Sequence, residues 1–275
     1  MHAYSLMYHD VVADGAFDAS GFPGSSAASY KLERDHFEHH LQAITGTVAR
    51  LGYDRVSQPE TLLRRSPSRQ PAVLLHFDDG GKSALAIADA IERHGWRGYF
   101  HITTDLIDTP GFVTPTDIRE LDQRGHVVGT HSCSHPPRMS SLRFDDMVRE
   151  WRDSAAVLAD ITGKPITVAS VPGGYTSREV VLAADRAGIE VLFNSEPVSR
   201  FDWVRGCVVL GRYTIKQTTG ADEAAAIAAG RRRPRWQQWA MWNGKKALKN
   251  AGGTYWLALR KRIFDARAGS RPDRP

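Results

Sequence analysis

The run PAVLLHF, residues 71–77, is apolar at every position except His76. A strand with one wet face alternates apolar and polar residues, so a run that is apolar throughout must be covered on both faces. The usual solution is a parallel strand flanked by helices, and the neighbouring segments supply them. Upstream, RDHFEHHLQAITGTVARLG carries Phe37, Leu41, Ile44, Val48 and Leu51 at helical spacing and stops at Gly52. Downstream, residues 83–94 read as a helix, RGYFHIT as a strand, 116–124 as a helix and GHVVGTH as the next strand. A long helix follows in SLRFDDMVREWRDSAAVLADITG, then PITVASV (strand), TSREVVLAADRAG (helix), IEVLFNS (strand) and CVVLGRYTI as one last strand. YSLMYH opens the chain as a short strand, and GAFDASGFPGSSAASY is a loop without periodicity. The alternation predicts an α/β fold, and about seven strand–helix units suit a barrel better than a small open sheet.

Charge divides the chain in two. From Gly230 to the end there are 13 Lys or Arg against 2 Asp, whereas the first 229 residues hold 23 basic and 29 acidic residues. The net charge of +5 therefore belongs to the tail. That tail also holds Trp236, Trp239, Trp242 and Trp256, interleaved with Lys and Arg and broken at Gly252 and Gly253, a pattern of two short basic, aromatic helices. We expect residues 1–229 to form the barrel and 230–275 a helical tail. Its partner would be the barrel surface or the periphery of an anionic membrane. An acidic body without a nucleic-acid module argues against nucleic-acid binding. Two cysteines make no disulfide framework, and the start has neither the charge pattern of a signal peptide nor a membrane span, which predicts a cytoplasmic protein, membrane-peripheral at most.

The chemistry collects at strand ends, where parallel barrels carry their functional groups. PAVLLHF ends in DDGG, two adjacent carboxylates at a tight turn that Gly80 and Gly81 permit. The next strand but one ends in THSCSHP, which sets His131 and His135 four residues apart. Two imidazoles on one side and a carboxylate make a three-ligand metal site with open positions. Zinc is the default ion for such donors, with cobalt, nickel and manganese as alternatives. Adjacent side chains at a strand end diverge, so one carboxylate can ligate while the other takes a proton from water.

The motifs HFDDG, HSCSH and SVPGG, in this order and spacing, resemble the polysaccharide deacetylase (NodB-homology) family, carbohydrate esterase family four, over roughly residues 70–195. The resemblance implies a deformed (β/α)7 barrel and metal-dependent removal of N- or O-acetyl groups from sugars, and we expect an acetylated amino sugar, in a polysaccharide or a lipid-linked precursor, as the substrate. It makes Asp78 the catalytic base, Asp79, His131 and His135 the metal ligands, and the backbone N–H of Gly173 the oxyanion donor. Three features depart from the family pattern. His76 stands where Thr or Ser is usual. Ser170 stands where an Arg holds the base, and Gly173 replaces an aromatic residue; Arg212 is the candidate substitute for that Arg. Finally, no histidine follows residue 135, so the late general-acid motif is missing. His9, in LMYHDV, supplies one at the N-terminus. This is similar to the circularly permuted branch of the family that deacetylates poly-N-acetylglucosamine, and it implies His9 as the acid, with Asp10 or another acid orienting it.

Plainer readings stand beside these. Cys133 is a small wall residue rather than a thiolate ligand. Tyr175 and Glu196 are either sugar contacts or wall residues, and Trp203 is either core or a sugar platform. Two other functions compete with the deacetylase. One is an amidohydrolase acting on a small amide or imide, which needs a closed pit rather than a groove. The other is a non-catalytic carbohydrate- or membrane-binding barrel.

Overall fold

A computed structural model describes residues 2–53 and 71–244. Eleven strands are present among them: β1 (Ala3–Tyr8), β2 (Val11–Val12), β3 (Leu32–Glu33), β4 (Ala72–Phe77), β5 (Tyr99–Ile102), β6 (Val127–Thr130), β7 (Val168–Ser170), β8 (Val191–Phe193), β9 (Phe201–Val204), β10 (Cys207–Leu210) and β11 (Tyr213–Thr214). Nine of them form one curled sheet in the order β11-β1-β4-β5-β6-β7-β8-β10-β9, parallel except for β9; β2 and β3 pair separately. This is the deformed barrel expected of the chain.

The apolar run has the cover it requires. Val73, Leu75 and Phe77 face the outer helices in a core that includes Leu41, Ile44, Ile87 and Ile91, whereas Ala72 and Leu74 face the barrel interior with Tyr99, Val168, Val191 and Phe193. Each fully buried side chain of this kind contributes roughly 1.5–3 kcal/mol. The helices fall where periodicity places them: Arg34–Arg50, Ala84–Glu92, Pro115–Gln123, Phe144–Thr162 and Arg178–Arg186. Their ends have local causes. Thr114 and Asp117 form a capping box with Pro115 at the first turn, and Gly163 closes the longest helix in a left-handed conformation. Leu51, counted in the apolar stripe, sits instead at an exposed C-cap.

CVVLGRYTI is not one strand. β10 pairs with β8, while β11 pairs with β1 on the far side of the curl. The chain crosses the seam at Gly211–Arg212, where a Cβ on Gly211 would lie 2.1 Å from the Glu196 carbonyl oxygen. The seam is otherwise spanned by Ala3 N–H donating to the Ser199 carbonyl (3.0 Å) and by a bridge between His2 and Arg200. β9 was not foreseen. It folds back on β10 through a tight turn at Arg205–Gly206, with Arg205 at φ 54°.

The tail begins as a helix over residues 232–244. Gln238 binds both the N–H (3.1 Å) and the carbonyl (3.0 Å) of Thr214, so its amide completes the edge of β11 as a further strand would. Arg235 lies over the Tyr4 and Tyr213 rings. The expected second helix, with Gly252, Gly253 and Trp256, falls outside the described residues. Among those described, no helix is long and apolar enough to cross a membrane.

Candidate functional site

Parallel register brings the strand ends to one rim. Phe77 pairs with Tyr8, Ile102 with Thr130, and Ser170 with Phe193, so the residues just after β1, β4, β6 and β7 emerge side by side. Those residues include His9, Asp78, Asp79 and His131. The loop after β6 carries His135 back to the same place. One donor atom each from Asp79, His131 and His135 lies within 4.8 Å of the others, with Asp79 Oδ1 3.4 Å from His131 Nε2 and 3.5 Å from His135 Nε2.

The trio suits a divalent cation on three counts. Its donors are one carboxylate and two imidazoles, the set zinc and its neighbours accept. His131 Nδ1 lies 2.9 Å from the Ser170 carbonyl, which can only accept, so Nδ1 keeps its proton and Nε2, facing Asp79, is the nitrogen that could give up a proton to a bound cation. The field also calls for positive charge. Burial lowers the His131 pKa, yet the Asp78 and Asp79 charges outweigh it and leave the imidazole above its ordinary range. A proton there does what a bound cation would do better. Burial pushes Asp79 up, but its hydrogen bond to His131 and the nearby histidines hold it ionised. His135 is lowered to about 4, chiefly by burial and then by His131, and so is neutral and ready to ligate.

Local backbone cost marks the two turns that carry the trio. Five non-glycine residues among those described have positive φ, and three of them are Asp79 (78°), Ser132 (68°) and His135 (53°). Such conformations cost on the order of 1–3 kcal/mol each and persist only where surrounding contacts fix them. Ser132 Oγ accepts from the His135 N–H (3.1 Å), and the Glu150 carboxylate accepts from the N–H groups of Cys133 and Ser134 (both 2.9 Å). Cys133 is half-buried and its thiol is pushed up to about 11, first by burial, so it is a neutral wall residue and not a thiolate.

Asp78 is held by Arg212. The guanidinium donates to Oδ1 (2.7 Å) and Oδ2 (2.8 Å), to Ser170 Oγ (2.7 Å) and to the Asn194 carbonyl (3.0 Å), and Arg212 is wholly buried. Ser170 Oγ donates in turn to Asp78 Oδ2 (3.2 Å). Thus the serine at the position of the missing Arg leaves room for a guanidinium arriving from the seam between β10 and β11. Burial raises the Asp78 pKa, but the charges of Arg212, His131 and His101 outweigh it and hold the carboxyl well below the usual range. Three of about four lone-pair sites on the carboxylate are used, which leaves one on Oδ1.

The remaining candidates lie at varying distances from this centre. His9 packs its ring on Tyr30 (5.0 Å) and its proximity depresses the Asp79 pKa, while its Nδ1 is buried without a hydrogen-bond partner. Asp10 does not orient it. Its carboxylate turns away to Ser20 Oγ (2.5 Å) and Ser83 Oγ (2.7 Å), and a Cβ on Gly81 would lie 1.9 Å from Asp10 Oδ1. Asp10 therefore ties the N-terminal loop to the DDGG turn. Gly173, at φ 64° in the turn Pro172–Gly174, packs on the histidine loop, since its Cβ would lie 3.5 Å from the Pro137 carbonyl. Tyr175 is stacked on Trp242 (4.7 Å, 19°), a wall contact rather than a free side chain. Trp203 is 55% exposed, which removes it from the core.

Phe22 escaped the sequence reading. Its ring lies 4.9 Å from that of His135 and 5.3 Å from Phe112, forming one side of the site. The loop that carries it is clamped by buried Lys31, whose Nζ donates to the carbonyls of Phe17, Ser20 and Phe22 at 2.5–2.6 Å. A lone lysine after a Gly/Ser loop was the only signal available.

Known proteins carry the same architecture. The chain is 22% identical to YxkH of Bacillus subtilis over 196 residues, 70% of this chain and 64% of that protein. It is 28% identical over 158 residues to the peptidoglycan-N-acetylglucosamine deacetylase PgdA of Listeria monocytogenes, covering 56% of this chain and 31% of PgdA. It thus spans less than two thirds of either relative. Among solved structures, the deacetylase PplD of Streptococcus pyogenes, in complex with acetate, superposes with a TM-score of 0.66 at 18% identity, over 81% of this chain and 96% of that one. The family described as polysaccharide deacetylase matches residues 65–192, the span that holds the DDGG turn, both histidines and the PGG turn. Over those residues the chain is similar to the polysaccharide deacetylase family.

Proposed function

We propose that the chain removes N-acetyl groups from an N-acetylhexosamine in a polysaccharide or lipid-linked glycan. The observation that carries this reading is the Asp79–His131–His135 trio beside an Arg212-held Asp78 at one strand-end rim. A divalent cation in the trio, with zinc our choice, would polarise the acetamide carbonyl and acidify a water. Asp78, ionised and with one lone pair open, takes the proton of the attacking water. Gly173 donates its N–H toward the oxygen that gains negative charge. His9 gives a proton to the departing amine, without which the amide nitrogen is a poor leaving group. Ser170 and Arg212 keep Asp78 in place, and Tyr175 braces the Gly173 turn against the tail helix. An open groove of about 1140 Å³ adjoins the rim at Thr176, Asn194 and Gly211 without including Asp78, Asp79, His131, His135 or His9; it offers room for flanking sugars, and on that ground we favour a polymer over a small amide.

The test is acetate release from N-acetylglucosamine oligomers with added zinc or cobalt, comparing the wild type with Asp78→Asn. Metal-dependent release that disappears in the variant supports the assignment. Absence of release despite stoichiometric metal binding would overturn the substrate and move the small-amide and binding-protein readings ahead.

A further inference from the structure

The groove beside the rim is lined by none of Asp78, Asp79, His131, His135 or His9. It lies between the β9–β10 hairpin and the helix over 232–244, and reaches the site through Asn194, whose carbonyl holds Arg212. Its walls are aromatic. Trp203 on β9 and Trp236 and Trp239 on the helix are 55%, 65% and 46% exposed, unusual values for tryptophan in a folded protein. Trp236, Trp239 and Trp242 recur every third residue, so each step rises roughly 4.5 Å and turns by about 60°, a row of rings that winds around the helix. The row ends at the Trp242–Tyr175 stack, two residues from Gly173. The helix therefore carries its aromatic rings from the groove to the turn that holds Gly173.

The groove is also cationic. Arg178, Arg200, Arg205 and Arg232 line it, and none of the four makes an ion pair among the described residues. Glu196 and Asp202 are the acids that share the lining, so positive charge prevails. Exposed indole faces cover the apolar faces of sugar rings, and guanidinium forks bind carboxylate or phosphate. A bilayer would need these tryptophans on one convex face, whereas here they line two facing walls of a concavity.

We infer that this groove binds an anionic glycan strand, its sugar rings on Trp236, Trp239 and Trp203 and its acidic groups on the arginines, and so feeds the rim with an acidic polymer. The inference deepens the deacetylase reading and rests on it for the direction of feed, though not for binding. The test is fluorescence anisotropy of the full chain with a labelled hyaluronan decasaccharide at about 50 mM salt, where surface charges are weakly screened. A neutral N-acetylglucosamine hexamer and flotation with phosphatidylglycerol vesicles run in parallel. We expect hyaluronan to bind about tenfold more tightly than the neutral hexamer, and Trp236→Ala/Trp239→Ala to weaken it by about tenfold or more. Arg200→Glu/Arg232→Glu, a second pair at exposed positions, should weaken it equally and flatten its salt dependence. Equal binding of the two glycans, or unchanged binding in both variants, would overturn the inference. Vesicle binding lost in the tryptophan variant, without glycan binding, would overturn it in favour of a membrane surface. Acetate release separates the two readings: release without hyaluronan binding rejects the groove alone, and binding without release rejects the reaction alone.

Discussion

Replacing Arg212 with leucine strands a buried carboxylate. Asp78 keeps its burial but loses two hydrogen bonds and the charge that outweighs desolvation, while Ser170 and the Asn194 carbonyl each lose a donor. Removing one partner of a buried pair costs about 3–5 kcal/mol. For 275 residues the unfolding entropy is about 0.6 kcal/mol/K, so the melting temperature should fall by roughly 5–9 °C. The pH dependence fixes the cause. In the wild type the folded Asp78 pKa lies below its unfolded value, so its contribution is present above about pH 4 and is lost as pH falls through the folded value. In Arg212→Leu the same carboxyl is raised by burial and gains stability by taking a proton as pH falls. The difference in urea-unfolding free energy between the two proteins, measured without metal, should therefore shrink between pH 7 and pH 4. Asp78→Leu/Arg212→Leu removes both charges and should recover most of the loss, because apolar replacement of a whole buried pair is close to neutral. A loss under about 1 kcal/mol at pH 7, a gap independent of pH, or a double variant as unstable as the sum of the single ones would refute this account.

Zinc at a hundredfold excess over its Kd should stabilise the wild type by about 2.7 kcal/mol in thermal melts, and His135→Ala should remove that shift. His9→Gln should keep the zinc-induced shift while lowering acetate release by about 10²–10⁴-fold, whereas equal activity would exclude His9 as the acid. His40 is buried against Tyr8 and Thr219 and its pKa is lowered to about 4, mainly by burial. The unfolded chain then binds a proton before the folded one does, so stability is lost as pH falls from about 6.5 toward 4, by about 2 kcal/mol at pH 5. His40→Gln should lose correspondingly less between pH 8 and pH 5 in urea melts. In Gly129→Ala the new Cβ would lie 2.8 Å from His101 Nδ1 and 2.9 Å from the Val168 carbonyl, a steric conflict on β6 worth about 1–3 kcal/mol in thermal unfolding.

What the sequence made legible was whatever depends on short spacing. Apolar periodicity located the helices because burial of one stripe is a local pattern, and PAVLLHF revealed a parallel strand because both of its faces must be covered. The convergence of the candidate metal trio was legible for the same reason: His131 and His135 share one loop, Asp79 follows a strand of the same parallel sheet, and register brings them within reach of one another. Arg212 was accessible only as a guess. Its side chain meets Asp78 across 134 positions of sequence, and it does so because β10 and β11 pair on opposite sides of the seam, a break that CVVLGRYTI conceals. Asp10 misled for the converse reason. Adjacency to His9 suggested a partner, but successive residues leaving a strand point apart, and two serines from other segments capture the carboxylate first. The same logic governs Ser170. A small residue in place of the family Arg reads as a lost function until the fold shows a guanidinium entering from the other side of the barrel, so the charge is kept and only its origin in the chain has moved. Substitutions at buried charge sites are therefore to be judged by whether the carboxylate still has a partner, not by whether the partner sits in its usual motif.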